Sequence, residues 1–225
     1  MAGAKDMKYV FFDTESANCR TNGNVFSFGY MVTDEDFNVL TPPTDIIVNP
    51  RCRFDGYVKK HILAYKSEQV KNAPDFSEVY EDICAIMCES GAICIGYGIE
   101  NDLKFLNGDC LRYKKPQIKA EFYDVQKLIR QALDRPFRKL SLEYQELIGE
   151  SDEHAHRSDA DAYFTMRIAQ EICKKTQEPL SFYIAAVKAF DEKENEQKRI
   201  RAAEKQRRYL EYLKNKEKAA QKAAK

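Results

Sequence analysis

The chain has 225 residues, of which 44% are hydrophobic, and its 36 basic and 36 acidic side chains give a net charge of zero. This length and apolar content allow one substantial core. The sequence has no long apolar segment and no N-terminal signal, so we expect a cytoplasmic protein that makes no contact with membranes. Seven cysteines without Cys-x-x-Cys spacing favour a reducing compartment over a disulfide framework or a zinc site.

The first predicted element is a strand over 7–13, within the segment KYVFFDTES. Apolar side chains occupy both of its faces, which indicates a central strand covered by helices on each side. Asp13 and Glu15 share one face at its end. Like charges at such short range oppose each other's ionisation unless a cation offsets them. Taken alone, the pair is more typical of an aspartate that ends a strand and a solvated glutamate than of a cation site, because acids make up 36 of the 225 residues.

The second segment of interest follows a predicted strand at 92–97, which ends in glycines. Asp102, Phe105 and Leu106 then fall at positions i, i+3 and i+4, so we expect Asp102 at the head of the buried stripe of a short helix. The alternative is a helix N-terminal acid that is stabilised by the helix dipole.

The third segment is HAHRSDADAYFT, which leads into a predicted helix over 159–175. Asp161 is in phase with Ile168 and Ile172, which places its carboxylate at the top of the buried face. The alternative is a capping box in which Ser158 is the N-cap and Asp161 is the third helical residue.

Two histidines precede this helix, and each stands five residues before an aspartate. We prefer His156 with Asp161 over His154 with Asp159, because Asp159 does not share the buried stripe. Histidine can exchange a proton at neutral pH, so His156 is a candidate general base on the loop before the helix.

The other predicted elements complete a mixed α/β pattern. Turn signals at 22–24 and 34–36 predict antiparallel strands early in the chain, and strands alternate with helices later. A boundary near 176–180 separates a domain over 1–178 from an extension over 179–225. The remaining strands are predicted near 24–33, 36–40, 45–48 and 119–123, and the remaining helices near 55–64, 75–89, 102–107, 124–133, 140–148 and 180–214.

The extension differs from the rest of the chain in charge. Residues 181–225 hold 13 basic and 7 acidic side chains, so this segment has a net charge of +6 and residues 1–180 have −6. Its composition, without glycine, predicts a long and largely solvated helix. A solubilising tail, an arm that follows phosphates and a docking helix for a protein partner remain open alternatives.

Three ordered motifs resemble those of the DEDDh 3′→5′ exonucleases, the superfamily of proofreading exonucleases, ribonuclease T and oligoribonuclease. They are FFDTES, GYGIENDLKFL and HRSDADAYFT, and the resemblance extends from about Lys8 to Ile172. It implies a ribonuclease H-like fold, in which a mixed β-sheet is flanked by helices, here followed by a long C-terminal helix. The chain departs from many relatives at Tyr97-Gly98, where they have His-Asn, and at Asn101, where an aromatic residue is usual.

The resemblance also implies roles for five side chains and two divalent cations, Mg²⁺ or Mn²⁺. Asp13 would bridge the two ions, Glu15 and Asp161 would hold one of them, Asp102 would support the other, and His156 would act as general base.

The implied function is a metal-dependent 3′→5′ exonuclease that releases 5′-mononucleotides from single-stranded DNA or RNA ends. One alternative is a catalytically weak nuclease-fold module that binds nucleic acid or a partner through its basic C-terminal helix, and another is a subunit of a larger assembly. The sequence does not separate DNA from RNA, because that discrimination depends on contacts to the 2′-hydroxyl.

Overall fold

The computed structural model describes residues 7–18, 22–150 and 156–223, with side chains described up to 212. The chain divides into two compact units, the first ending at Ile184 and the second beginning at Ala185. The elements in chain order are β1 (Lys8–Ser16), β2 (Val25–Thr33), β3 (Val39–Ile47), α1 (Gly56–His61), α2 (Ser67–Asn72), α3 (Phe76–Met87), β4 (Ala92–Gly96), α4 (Glu100–Arg112), β5 (Glu121–Asp124), α5 (Val125–Leu133), α6 (Leu140–Ile148), α7 (Ser158–Thr176) and α8 (Leu180–Ala223).

A five-stranded mixed sheet forms the centre of the first unit, in the order β3-β2-β1-β4-β5. β1 pairs antiparallel with β2 and parallel with β4, while β3 and β5 lie at the edges. Val10 and Phe12 of β1 point into a core formed with α3 and α4. On the opposite face α7 packs across β1 and β2, and α5 and α6 pack against α7. The predicted fold class, a mixed sheet flanked by helices with a long C-terminal helix, is confirmed.

Two details of the predicted strands are wrong. The segments 36–40 and 45–48 are not separate strands but parts of one edge strand, β3, which contains Pro42 and Pro43. Proline cannot donate a ladder hydrogen bond, but an edge strand tolerates it because one side of the strand has no partner. β1 continues to Ser16 rather than ending at 13, so Asp13 and Glu15 both lie within its last four residues.

Two details of the predicted helices also differ. The six-residue helix α2 was not predicted, because so short a segment shows no periodicity. α4 continues to Arg112 rather than ending at 107. A glycine often indicates a turn, but Gly108 lies inside α4. It allows the backbone near Gly23 to pack directly against the helix, because a Cβ on Gly108 would be 2.3 Å from the backbone nitrogen of Gly23.

A buried carboxylate fixes α4 against the sheet. Asp109 is 1% exposed, and its Oδ2 accepts a hydrogen bond of 2.8 Å from the backbone N–H of Val25, at the start of β2. The Arg112 guanidinium lies 3.4 Å from the other oxygen of this carboxylate and partly balances its charge. The C-terminal half of α4 is thereby held at the start of β2.

α8 is 44 residues long. Leu180, Tyr183 and Ile184, at its start, are buried in the first unit. Within the described part of the chain, no helix is both long enough and apolar enough to cross a membrane.

Candidate active site

Two acids of the first motif lie on the face of the sheet that α7 covers. Asp13 pairs with Gly29 of β2, and Glu15 pairs with Ser27, so each carboxylate shares its face with the opposing β2 residue. Both acidic residues are largely buried, and the Glu15 side chain is only 13% exposed. β1 therefore presents two carboxylates side by side in a region of low solvent access.

Asp102 reaches the same end of β1 from the first turn of α4. The β1–β4 pairing ends at Phe11 with Ile95, so the following residues of β1 lack a strand partner on that side. Asp102 Oδ1 takes this place and accepts hydrogen bonds from the backbone N–H of Thr14 at 2.8 Å and from its hydroxyl at 2.7 Å. Asp102 lies in the first helical turn, as the alternative interpretation requires, but it is only 5% exposed and is bonded to β1.

The start of α7 lies directly on β2. A Cβ on Gly29 would be 1.9 Å from the carbonyl carbon of Ser158, so only glycine allows this approach. The structure does not form the capping box that was the alternative interpretation of Asp161: Arg157 is the N-cap without a capping side-chain bond. Ser158 is buried, and its hydroxyl donates to Asp45 Oδ1 at 3.0 Å. Asp161 lies one turn along, partly buried, on the side that faces β1.

His156 stands on the loop before α7, in the left-handed backbone region with φ of 68°. Its side chain is 57% exposed, and Nδ1 lies 3.9 Å from Oε1 of Glu15. One ligand atom each from Glu15, His156 and Asp161 lie within 4.8 Å of one another, a spacing that one metal ion can span. Asp13 and Asp102 stand outside this three-residue group.

The alternative pair of His154 and Asp159 is only partly visible. His154 lies outside the described residues. Asp159 accepts hydrogen bonds from Arg157 Nη2 at 2.9 Å and Nε at 3.1 Å, so its carboxylate is engaged by an adjacent guanidinium.

The carboxylates that converge from β1, α4 and α7 raise one another's pKa values. Burial raises the pKa of Asp13 well above its usual range, and neighbouring carboxylates, that of Asp102 foremost, raise it further. Burial also raises the pKa of Glu15, with Asp161 as the strongest charged neighbour. For Asp102, burial raises the pKa to about 6, although the hydrogen bonds from Thr14 act in the opposite direction. A divalent cation would offset this mutual repulsion, and buried carboxylate oxygens are ligands that Mg²⁺ and Mn²⁺ prefer.

A groove of about 930 Å³ opens beside His156 and Asp161. Its far wall is the loop between α5 and α6, where the Phe137 side chain is 56% exposed. The backbone holds this loop in place, because the carbonyl of Arg138 accepts hydrogen bonds from Tyr97 Oη at 2.9 Å and from Gln126 Nε2 at 3.2 Å. Tyr97, where the second motif departs from its relatives, thus supports the wall of the groove.

Sequence reasoning missed several residues around the site. Phe137 and Lys139 lie in a loop without periodicity, and Asp45 lies on an edge strand broken by prolines. In the sequence, the segment PFRK, an aromatic residue followed by two basic residues, is a weak indication of a nucleic-acid contact at this loop.

A family model described as exonuclease, of the RNase T type, matches residues 10–169. This range covers more than half of the chain and contains all five candidate side chains. The chain therefore belongs to the RNase T exonuclease family, as the three motifs predicted. A comparison with curated proteins finds no match.

Solved structures with a similar fold are also exonucleases. Exonuclease I of E. coli in complex with a dA16 oligonucleotide has a TM-score of 0.64 and 18% identity, over 80% of this chain and 42% of that one. A 3′-exonuclease that recognises the 3′ end of a histone mRNA stem-loop has a TM-score of 0.65 and 17% identity, over 78% of this chain and 85% of that one. The chain thus spans less than half the length of exonuclease I.

Proposed function

We propose that this chain is a metal-dependent 3′→5′ exonuclease that releases 5′-mononucleotides from single-stranded DNA or RNA. The observation that carries the proposal is the convergence of Glu15, Asp161 and His156 within 4.8 Å at the carboxyl end of β1. The partly buried Asp13 and the buried Asp102 lie beside them, and the negative charges of these carboxylates repel one another. Three separate segments of the chain contribute to this cluster, and all three lie within the matched family range.

Two divalent cations, Mg²⁺ or Mn²⁺, fit the donor set. Asp13, Glu15, Asp102 and Asp161 would hold them, and the hydrogen bonds from Thr14 keep the Asp102 carboxylate oriented. When bound, such cations stabilise the charge that develops on the attacking and leaving oxygens of a phosphodiester. The raised pKa values of Asp13 and Glu15 support this assignment, because these side chains need a positive charge nearby to ionise fully.

His156 would serve as the general base. It lies at the rim of the site with 57% of its side chain exposed, so it can pass a proton to solvent after each turnover.

The groove beside His156 would bind the single strand. Its exposed Phe137 ring offers a surface on which a base can stack, and Lys139 at the start of α6 can contact a phosphate. One protein with the same fold binds a DNA oligonucleotide and another binds an mRNA stem-loop, so we propose single-stranded DNA and RNA as the two substrates to compare.

The segment 1–178 would form the exonuclease domain, and 179–225 a basic helical extension whose net charge of +6 favours nucleic acid. Docking of a protein partner on this helix is the alternative role. Free thiols are typical of a reducing compartment, and we propose the cytoplasm. The free cysteines among the described residues are at positions 52, 84, 88, 94, 110 and 173.

The test is a cleavage assay on single-stranded DNA and RNA labelled at the 5′ end, with Mg²⁺, with Mn²⁺ or with chelator. We expect a ladder that shortens from the 3′ end in the presence of metal and no products with chelator. Asp13→Asn and Asp102→Asn should abolish the ladder. Wild-type rates in these variants after thorough purification would refute the proposal.

A further inference from the structure

A second polar cluster lies next to the carboxylates, on the same face of the sheet. Asp45 of β3 pairs with Gly29 of β2, which in turn pairs with Asp13 of β1. Gly29, which has no side chain, therefore lies between Asp13 and Asp45 across the three strands. Ser158, the first residue of α7, occupies the space above Gly29.

Three hydroxyl groups converge on the Asp45 carboxylate. Oδ1 accepts hydrogen bonds from Ser27 at 2.6 Å and from Ser158 at 3.0 Å, and Oδ2 accepts one from Tyr65. The Ser27 and Ser158 hydroxyls also contact each other, and both serines are fully buried. Asp45 thus joins β2, β3, the segment before α2 and the first turn of α7.

This connection is the anchor of the α7 N-terminus. Arg157, the N-cap, makes no side-chain capping bond, and the local side-chain support of the first turn is the 2.9 Å hydrogen bond from the backbone N–H of Ala160 to Asp159. Ser158 is two residues from His156 and three from Asp161, so a shift of Ser158 moves both side chains. His156 also has a left-handed backbone, a conformation that a non-glycine residue keeps only when its surroundings hold it.

We infer that Asp45 is a positioning residue: through Ser158 it holds the start of α7 so that His156 and Asp161 face Glu15. This inference rests on the proposed function, because it concerns the geometry of the proposed reaction. Asp45 acts in this inference as a hydrogen-bond acceptor, because three hydroxyl groups donate to its two oxygens.

Two substitutions at Asp45 separate the acceptor role from a charge or ligand role. Asp45→Asn keeps an oxygen for Ser27 and Ser158, and its amide can donate to the Tyr65 oxygen in place of the present bond. Asp45→Ala removes the acceptor altogether. We expect Asp45→Ala to lower kcat on a single-stranded oligonucleotide by about 100-fold with little change in KM, because small displacements of catalytic groups have effects of this size. Asp45→Asn should stay within about threefold of wild type, because it keeps the hydrogen bonds.

Ser158→Ala tests the same connection from the other side, and it removes a single hydroxyl group. Thr176→Val is the matched control, because Thr176 donates its hydroxyl to the carbonyl of Ile172 at 2.8 Å, at the far end of the same helix. We expect Ser158→Ala to lower kcat and Thr176→Val to leave it unchanged. Should Asp45→Ala fail to fold, as shown by circular dichroism, Ser158→Ala and Asp45→Asn still decide the question.

A double variant shows whether the effect passes through His156. In a His156→Ala background, Ser158→Ala should lower kcat by a smaller factor than it does in the wild type, because only the displacement of Asp161 remains, whereas an unrelated loss of structure would multiply the two effects in full. Full activity of Ser158→Ala, or an Asp45→Asn variant as inactive as Asp45→Ala, would overturn the inference. An inactive wild-type protein, or a His156→Ala variant with normal rates, would instead count against the proposed function.

Discussion

Gly29 and Ser158 touch backbone to backbone, so closely that a Cβ on Gly29 would lie 1.9 Å from the carbonyl carbon of Ser158. No side chain separates β2 from α7 at this point. The contact fixes the distance between the first turn of α7 and the sheet. It does so next to Asp13, because Gly29 pairs with Asp13 across β1 and β2. The position of Asp161, three residues further on, is therefore set by the sheet itself.

Replacement of Gly29 by alanine should displace α7 and separate Asp161 from Glu15. We expect a loss of stability of about 1–3 kcal/mol, the usual effect of overpacking, and a fall in kcat of about 100-fold, because the catalytic groups move apart. Denaturant unfolding and the cleavage assay measure the two effects. Gly56→Ala is the control, because a Cβ there meets nothing within 4 Å. Unchanged kcat in Gly29→Ala would show that the contact does not set the site.

The stability of the metal-free protein should fall as pH rises above about 4, the ordinary pKa of a carboxyl group. Asp13, Glu15 and Asp102 have raised pKa values, so the folded chain binds protons more tightly than the unfolded chain. Their contribution is complete below the ordinary carboxyl pKa of about 4 and is lost as pH rises through the raised values. The rise in the pKa of Asp102 to about 6 corresponds to a contribution on the order of 3 kcal/mol to the free energy of unfolding.

Thermal unfolding between pH 5 and 7.5, with chelator and with Mg²⁺, measures this dependence. Mg²⁺ should raise the Tm most at pH 7.5, because it binds the ionised carboxylates. Asp13→Asn should raise the Tm of the metal-free protein at pH 7.5, and Asp82→Asn, an exposed acid on α3, should not. A Tm that is independent of pH and of Mg²⁺ would contradict a shared cation site.

Local periodicity predicted the faces on which the acids of the strand and helices lie, and the resemblance of the three motifs named the five candidate side chains together. Strand alternation places Asp13 and Glu15 on one face, and the helical stripe of Ile168 and Ile172 predicts the side of α7 on which Asp161 lies. These patterns extend over a few residues and do not depend on the rest of the fold.

The contacts that the sequence could not reveal join residues far apart in the chain. Ser158 and Asp45 are 113 positions apart, and no local pattern relates them. Ser158 instead suggested a helix cap, which is the usual role of serine before a helix. The sequence likewise predicted two short strands where the structure has β3, and only the topology shows that this strand lies at an edge, where prolines are tolerated.

His156→Ala should lower kcat at neutral pH and recover part of the loss as pH rises, because hydroxide then replaces the general base. His156→Asn should be as slow as His156→Ala but no less stable than wild type, since asparagine tolerates the left-handed backbone at φ of 68°. His61→Asn, at an exposed histidine stacked on Tyr57, is the control. Rate profiles from pH 6 to 9 measure the effect, and a loss that is constant over this range would argue against a base.

Phe137→Ala and Lys139→Ala should weaken the binding of oligonucleotides without changing the reaction itself. Both residues line the groove, but neither belongs to the carboxylate cluster. We expect kcat/KM for a single-stranded oligonucleotide to fall by roughly 5- to 100-fold for Phe137→Ala, the equivalent of one base stack. Hydrolysis of a nitrophenyl ester of a mononucleotide, which has no second base, should be unaffected. Phe182→Ala, at a residue that is 52% exposed elsewhere, is the control, and equal losses on both substrates would exclude the groove as the strand-binding surface.

Removal of the basic extension should change the salt dependence of binding more than the rate of cleavage. A chain that ends at Phe190 retains the buried residues of α8 and lacks a segment with a net charge of +5. If 191–225 binds phosphates, the slope of log binding constant against log salt should fall by about 0.7 for each phosphate that the shorter chain no longer neutralises. Turnover of a short oligonucleotide should stay the same, because the carboxylate cluster and the groove lie entirely within residues 1–184.

A full-length variant in which Lys205, Arg207 and Arg208 are replaced by glutamine is the matched partner of this truncation, because it keeps the helix and removes three charges. Fluorescence anisotropy with a labelled single strand, at salt concentrations from about 50 to 200 mM, gives the slope for each chain. The substituted chain should lie between wild type and the truncation. If all three slopes are equal, the extension does not follow phosphates, and its exposed Tyr209 and Leu210 become the surface to test with a protein partner.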